Sequence, residues 1–443
     1  MGKGRNQLSR LAAVVAVMAT LGVGTAAAGE PLGPAMGADG SPAAVPGQVV
    51  VGVAGGGERL IELPEGVGIG EALADLRDDP GVEYATPNWI ASVAYWPNDP
   101  GTSQVDGGWD ADQWNFLAAD EAQQQYGAGV TGAWETLAQA GAAGARGVTV
   151  AIVDTGIAYR NKGQRFRRVP DIAGTRFVAG RDYVDDDGLP LDENGHGTHV
   201  AGTIGQQTDN GRFVTGIAYG AKLMPVRALG SKGMGTAYDV ARGIRFAARH
   251  GADVINLSLE FPTCPGERCV DECKDIEGVC KAIRRAIGRG SVVVAAAGNK
   301  GGAVAFPARM AKGGLISVGA TTRQGLLAGY SARGTGLELV APGGAVATAG
   351  CATSAPLDAI LQVSFRGGSR SEFCLQERIG TSMAAAHVAG AAAMVIASGV
   401  LDPAPAGPRA IEKQLRCAAR DLGTGFGSGL LDLAAAVAEP CVG

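Results

Sequence analysis

A chain of 443 residues, 46% hydrophobic and 18% charged, can bury a full core, and its length predicts two or three folded units rather than disorder. Its 71 Gly and 21 Pro make about one residue in five a turn-former, which predicts many tight loops but falls short of a collagen-like or low-complexity composition. With 38 Lys plus Arg against 43 Asp plus Glu the formal charge is -5, so the electrostatic footprint of a nucleic-acid binder is missing.

The chain opens with Lys3, Arg5 and Arg10, an apolar run from Leu11 to Val23, and Ala26-Ala27-Ala28 before Gly29. This is the pattern of a secretory signal over residues 1–28. The run is too short to span a bilayer, and no later segment reaches the roughly 18 to 20 unbroken apolar residues that a span needs. An exported protein, extracellular or periplasmic and without a membrane anchor, is expected. Residues 29–46, rich in Gly, Ala and Pro, read as a linker. A small α+β unit is expected over 47–95, with a strand at Gln48 to Val53, a helix at Ile69 to Leu76, and Val82-Glu83-Tyr84 ending in the turn Thr86-Pro87-Asn88. The stretch from Ala91 to Gln125 is loop-like, and residues 96–130 are expected to lead into a main unit over 131–443.

In that main unit short apolar runs alternate with helical patterns. The runs are Val148 to Val153, Leu223 to Ala228, Val254 to Leu259, Val292 to Ala297, Leu315 to Val318 and Leu337 to Val340. They lack period-2 alternation, so they fit strands buried on both faces: an α/β fold in three layers, with a mainly parallel central sheet. Functional side chains in such a fold collect beyond the carboxyl ends of the strands.

Three polar residues stand in Gly-containing turns of this pattern. Asp154 directly follows the first run and precedes Thr155-Gly156. His196 lies in Asn194-Gly195-His196-Gly197-Thr198-His199, just ahead of an apolar helix. Ser382 lies in Gly380-Thr381-Ser382-Met383, at the start of an Ala-rich helix whose N-terminal dipole favours developing negative charge. Each alone has an ordinary reading as a turn aspartate, a structural histidine and a capping serine. Together, in the order Asp, His, Ser, they form the constellation that activates a serine hydroxyl. His196 takes its proton and Asp154 holds the imidazole tautomer.

The strings VAIVDTGIA, NGHGTHVAGTI and GTSMAAAHVAG resemble the three catalytic signatures of the subtilisin-like serine proteases, the subtilase family, over roughly Trp134 to Val437. The resemblance implies a subtilisin-like three-layer fold preceded by a small α+β inhibitory propeptide domain. It implies a secreted endopeptidase acting on protein or peptide substrates, made as a self-processed zymogen. It implies that Asn299, after the run Val292 to Ala297, donates its side-chain amide to the tetrahedral oxyanion. It implies that Leu229, Gly230, Gly233, Met234 and Gly235 on one side clamp an extended peptide. Ser258, Leu259, Glu260, Ala297 and Gly298 complete the expected substrate contacts, and Phe306-Pro307 resembles a turn where the family often has a cis proline.

The chain departs from the family at several places. Glu260 stands where glycine is common, and Lys300 where an acidic or small residue is common, so charge beside the cleft bears on side-chain preference; the two side chains can also pair or face solvent. Ala386 replaces the usual proline of the serine motif. Clustered carboxylates at Asp182, Asp185, Asp186, Asp187, Asp192 and Glu193 suit calcium. Asp209-Asn210-Gly211 occupies a loop that is a calcium site in many relatives, which makes Asp209 and Asn210 the expected ligands of a structural calcium; no organic cofactor is expected. Pro80 to Asn88 is similar to the end of a subtilase propeptide, whose tail inhibits in the cleft until cut. Maturation is expected between Ser92 and Gln125, and a monomer thereafter.

All eight cysteines lie late, and an even number in an exported chain favours disulfides. Cys351 with Cys374 and Cys417 with Cys441 are natural pairs by proximity. Pairing among Cys264, Cys269, Cys273 and Cys280 is open, and a zinc reading of that cluster competes, although its spacings do not repeat the short paired knuckles of a zinc ribbon. No HExxH pattern occurs. The competing readings of function are a catalytically silent peptide-binding or scaffold protein on the same fold, and a maturation protease of narrow specificity.

Overall fold

The computed structural model describes residues 44–53, 57–64, 66–89, 97–102, 108–261, 272–311, 313–401 and 407–441. The expected secretory signal, Cys264 and Cys269 lie outside the described residues. The chain divides into two compact units, Met1–Ala94 and Tyr95–Gly443.

In the first unit β1 (Ala44–Val53) is the centre of an antiparallel sheet of order β2-β1-β3, between β2 (Glu58–Glu62) and β3 (Val82–Trp89), with α1 (Ile69–Arg77) between the last two in sequence. Alternate β1 residues Val49 and Val51 turn inward onto Leu73, Leu76 and Ala85, which together make a small core. Arg77 closes the helix onto the sheet by donating from Nε and Nη2 to the Ala85 carbonyl at 3.0 and 2.8 Å. The expected turn at Thr86-Pro87-Asn88 is instead part of β3, with Pro87 opposite Val49. β3 is an edge strand, where proline's missing N–H removes no ladder bond.

The second unit is built on β4 (Thr149–Asp154), β5 (Arg176–Phe177), β6 (Arg181–Asp182), β7 (Lys222–Arg227), β8 (Val254–Leu257), β9 (Val292–Ala296), β10 (Leu315–Thr321) and β11 (Leu339–Pro342). These form one parallel sheet of order β11-β10-β9-β8-β4-β7-β5, with β6 also on β7. Every residue of β4, β8, β9, β10 and β11 is buried, which is why their sequences are mostly apolar without period-2 alternation. Along β4, Val150 and Ile152 enter one core while Ala151 and Val153 enter the other.

The first core is covered by α2 (Val130–Gln139), α3 (His196–Gly205), α6 (Thr381–Ser398), α7 (Pro408–Cys417) and α8 (Leu433–Ala438). The second is covered by α4 (Ala237–Arg249) and α5 (Glu277–Gly288), giving three layers. By length and composition α6 would suit a membrane, but 83% of its apolar window is buried inside the unit. Outside the main sheet, β12 (Ile360–Phe365) and β13 (Phe373–Arg378) form an antiparallel pair.

The segment expected to be loop-like before residue 125 is packed rather than loose. Trp109, Trp114 and Phe116 are fully buried, Trp109 meets Trp134 edge-on at 5.4 Å, and the Trp114 indole donates to the Ala359 carbonyl at 3.0 Å. Irregularly spaced aromatic anchors leave no periodic trace in a sequence, so this packing is invisible to pattern reading. Both proximity pairs of cysteines are disulfides, Cys351–Cys374 and Cys417–Cys441, and a third joins Cys273 to Cys280.

Candidate functional site

The site forms at the carboxyl ends of β4, β8 and β9, where α3 and α6 begin. Asp154 is the last residue of β4 and is fully buried. Its carbonyl accepts from the N–H groups of Ala228 and Leu229 at 2.9 and 3.0 Å, which holds the chain leaving β7 beside it. Its carboxylate Oδ1 accepts from the Thr155 N–H at 2.7 Å and lies 2.8 Å from His196 Nδ1, while Oδ2 finds no partner. A carboxylate on Nδ1 leaves Nε2 as the imidazole's acceptor.

His196 is the first residue of α3, entered through Gly195 at φ +96°, a conformation that suits glycine. The turn is organised by Asp192, which is buried. Its Oδ1 accepts from the Thr155 hydroxyl and from the N–H groups of Asn194 and Gly195 at 2.8 to 2.9 Å. Its Oδ2 accepts from the N–H and hydroxyl of Thr198 at 3.0 and 2.6 Å. Five donors thus fix the direction in which His196 leaves the helix, and burial raises the Asp192 carboxyl above the ordinary range. Gly197 permits the close approach of α3 to β4: a Cβ there would stand 2.2 Å from the Gly156 carbonyl oxygen and 3.2 Å from Asp154 Cβ.

Ser382 is the second residue of α6 and is 8% exposed. Its hydroxyl donates to the Ser258 carbonyl at 3.3 Å, the Ser258 hydroxyl donates to the Ser382 carbonyl at 2.8 Å, and the Asn256 amide donates to Ser258 Oγ at 2.9 Å. The end of β8 and the start of α6 are thereby locked together. Ser382 and His196 line the same cavity of about 450 Å³, with the hydroxyl turned to Ser258 rather than to the imidazole.

Asn299 stands across that cavity. Its Oδ1 accepts from both the N–H and the hydroxyl of Thr381, at 2.8 and 2.9 Å. A site with two donors can hold only the amide oxygen, so Nδ2 is fixed as the group left to donate. The Thr381 hydroxyl in turn accepts from the Gly298 N–H at 3.2 Å. The peptide bond between Phe306 and Pro307 is cis.

Of the expected substrate contacts, Leu229, Gly233, Met234 and Gly235 line the cavity on one side, and Ser258, Leu259, Glu260 and Gly298 on the other. Gly230 and Ala297 do not line it. Gly230 is held in a tight turn by donating to the Met234 carbonyl at 2.9 Å, and Ala297 is wholly buried in the second core. Glu260 does not pair with Lys300: its Oε2 accepts from the Asn299 N–H at 3.1 Å. Asp192 was expected only as one of the carboxylates suited to calcium, not as the organiser of the His196 turn, and no role was expected of Thr155, Asn194 or Thr381. The organising role is betrayed only by the acidic residue placed before an Asn-Gly-His turn, and the other three residues by adjacency to the reactive residues.

Two further histidines are buried on this face. Burial pulls His387, whose ring meets Met383 and Asn115, down to about 4, and pulls His199 well below its ordinary value, so both are neutral in the fold. Arg378, half-buried, lies among these groups.

The acidic stretch before His196 does not present a cluster of open carboxylates. Asp182, Asp185 and Glu193 converge on buried Arg227 at 2.8, 2.6 and 3.2 Å, and Asp186 pairs with Arg181 and Arg242. Their charge is spent on neighbouring arginines. Asp209 accepts from the Asn98 N–H at 3.2 Å, and the Asn210 amide donates to buried Asp171 at 2.7 Å, while Asn210 Oδ1 is buried without a partner. Among the described residues no group of three or more His, Cys, Asp or Glu stands ready for a metal.

Comparison with known proteins agrees with this architecture. A thermophilic serine proteinase of Bacillus sp. strain AK1 is 34% identical over 334 residues, 73% of this chain and 65% of the relative. An extracellular protease of Xanthomonas campestris is 32% identical over 419 residues, 86% of this chain and 64% of the relative, so the chain spans just under two thirds of both. Among solved structures, one of proteases from Pseudoalteromonas arctica is 31% identical with a TM-score of 0.61, covering 77% of this chain and 98% of that one. The profile of the subtilase family matches residues 145–425, a stretch that contains Asp154, His196, Asn299 and Ser382 and most of the main unit, and the chain belongs to that family.

Proposed function

We propose that the chain is a serine endopeptidase in which Ser382 is the nucleophile, His196 the general base and acid, Asp154 its orienting carboxylate and Asn299 the oxyanion donor. The observation that carries this reading is the hydrogen bond from His196 to a fully buried Asp154, in the cavity that also holds Ser382 and an amide oriented by Thr381. A rotation about the Ser382 side chain turns the hydroxyl from Ser258 to His196 Nε2, a contact that commonly tightens only when substrate is bound. The hydroxyl proton passes to Nε2 as Oγ bonds to the substrate carbonyl carbon. The negative charge that develops on the carbonyl oxygen is met by Asn299 Nδ2 and by the Ser382 N–H, one of the orphan donors at a helix start. His196 then protonates the departing amine, takes a proton from water as that water attacks the acyl group, and returns it to Oγ. Asp154 holds the ring and stabilises its charged form throughout.

The signal pattern in residues 1–28, the folded unit ending near residue 94 and the relative named an extracellular protease support an exported zymogen. In this reading the first unit is an inhibitory propeptide, removed by the enzyme itself between Ser92 and Gln125, and the mature form is a monomer. The loop at Asp209 fits a structural calcium through two observations: a buried Asn210 oxygen without a partner, and a buried Asp171 beside it. Asp171 and Asn210 would hold the ion, and Asp209, already bonded to Asn98, is the poorer ligand. Excess chelator is expected to lower the melting temperature by several degrees, and unchanged melting would remove calcium from this account.

The test of the function compares intact mass and amino terminus of the secreted wild type and Ser382→Ala, with casein hydrolysis on both. Wild type is expected shortened and active, and the variant long and inert. Equal termini with no cleavage of any peptide would instead favour a silent peptide-binding protein.

A further inference from the structure

The cavity that holds Ser382 carries one unexplained charge. Glu260 follows the end of β8 and lies two residues beyond Ser258, which is itself bonded to Ser382. Its Oε2 accepts from the Asn299 N–H at 3.1 Å and stands 2.6 Å from where a Cβ on Gly298 would be, so the carboxylate is folded over the Gly298-Asn299 turn. Gly298, at φ +116°, leaves the space it occupies. Among the residues lining the cavity Glu260 is the one carboxylate, and no Lys or Arg is among them. Among the described residues Glu260 makes no ion pair and no hydrogen bond beyond that one, so none of them partners Oε1. Exposed Lys300, one residue past Asn299, makes no ion pair with it.

Chemistry fixes which part of a substrate this charge meets. The attacked carbonyl carbon must reach Ser382 Oγ while its oxygen points at Asn299 Nδ2. The nearest substrate side chain to the Gly298-Asn299 wall is therefore that of the residue whose carbonyl is attacked. Around Glu260 the lining is apolar at Leu259, Phe261 and Ala296. Apolar walls with a single carboxylate suit a long aliphatic stem ending in a cation. We propose that Glu260 makes the site selective for lysine or arginine on the acyl side of the cleaved bond. The inference rests on the peptidase reading above and adds a substrate class to it.

The experiment uses matched peptides that differ only at that residue: lysine, the uncharged isostere norleucine, or glutamate. With wild type, kcat/KM is expected to favour lysine over norleucine by about tenfold or more, less at high salt. Glu260→Gln keeps an acceptor oxygen for the Asn299 N–H and removes the charge. It is expected to lower the lysine rate about 10- to 100-fold more than the norleucine rate, and to relieve the exclusion of glutamate. Equal wild-type rates for lysine and norleucine would overturn the proposal. So would a Glu260→Gln variant that slows all three peptides alike, because that outcome assigns Glu260 to positioning Asn299.

Binding of the same peptides to the Ser382→Ala protein separates the two readings. Tighter, salt-sensitive binding of the lysine peptide, lost in Ser382→Ala with Glu260→Gln, supports charge selection even if wild type cuts nothing, an outcome that would sink the peptidase reading alone. Cleavage by wild type with indifferent binding and indifferent rates overturns the charge selection alone.

Discussion

The helices packed on the main sheet include two different kinds. On one face α4 and α5 are amphipathic: Val240, Ile244 and Ala247, or Val279, Ile283 and Ala286, point inward at helical spacing while charged residues face water. On the other, α3 is buried from Gly197 to Gly205 and α6 from Thr381 to Val395, with small residues on every side. His196 and Ser382 are carried by the second kind. A helix that is packed all round cannot roll or slide without closing a contact, so reactive groups at its first turn are held to the tolerance that catalysis requires. The amphipathic pair has no such duty and one wet side.

The largest effect expected from testing this contrast is chemical. Ser382→Ala should reduce turnover by about four to six orders of magnitude, as the corresponding change does in subtilisin, with little change in the melting curve. Rates measured on casein and a peptide ester, beside thermal unfolding, check both halves.

A steric change on the same face comes next. Gly197→Ala sets a Cβ 2.2 Å from a backbone oxygen, which side-chain motion cannot relieve, and should destabilise by about 3 kcal/mol or more while lowering activity further than stability explains. Denaturant unfolding at constant pH gives the first number. An unchanged midpoint would mean that α3 can move away from β4 after all.

Acid tests the buried histidines. His387 titrates near 4 in the fold against 6.5 when unfolded, so the unfolded chain takes the proton first as pH falls. The stability held by the neutral ring is therefore complete above about pH 6.5 and lost toward pH 4, by about 3 kcal/mol. Glu338 works in the opposite sense. Burial beside Glu412 lifts its carboxyl to about 7, so the fold takes that proton first and gains stability between about pH 7 and 4.5. Wild type shows the sum. His387→Gln should flatten the acid loss and Glu338→Gln should steepen it, and unfolding at pH 7.5, 5.5 and 4 separates them.

The smallest effect belongs to the wet side. Lys281 pairs with Glu277 at 2.6 Å on the exposed edge of α5. Lys281→Ala should leave melting and turnover within error, since exposed pairs are screened by solvent. A large loss there would erase the difference between the two faces.

What a sequence can reveal follows the same division. The six apolar runs were legible because parallel strands buried on both faces lack the alternation of polar and apolar positions. Asp154, His196, Asn299 and Ser382 were legible because each stands in a turn that glycine shapes. The coupling around them was not. Asp192 receives its five hydrogen bonds from residues on both sides of a turn, and only coordinates show that Thr155 and Thr198 face it. The acidic stretch suggested a cation site, but beside the adjacent Arg181 of β6 the arginines that neutralise it come from β7 and α4, far along the chain. Gly230 and Ala297 follow the family pattern in sequence, yet one serves a turn and the other the core.

The strand order has a consequence in time. β4, made early, lies in the middle of the sheet, and its partners β7 and β8 emerge only after long intervening segments. α6, which brings Ser382, comes after every strand of that sheet. A chain still being made has Asp154 and His196 but not Ser382. Closing such distant pairs is also slow, because each demands the ordering of a long loop before any contact rewards it. The site that joins Asp154, His196 and Ser382 is thus completed only after every strand of the main sheet has been made, so that under the proposed function a partly made chain cannot cut itself or its neighbours.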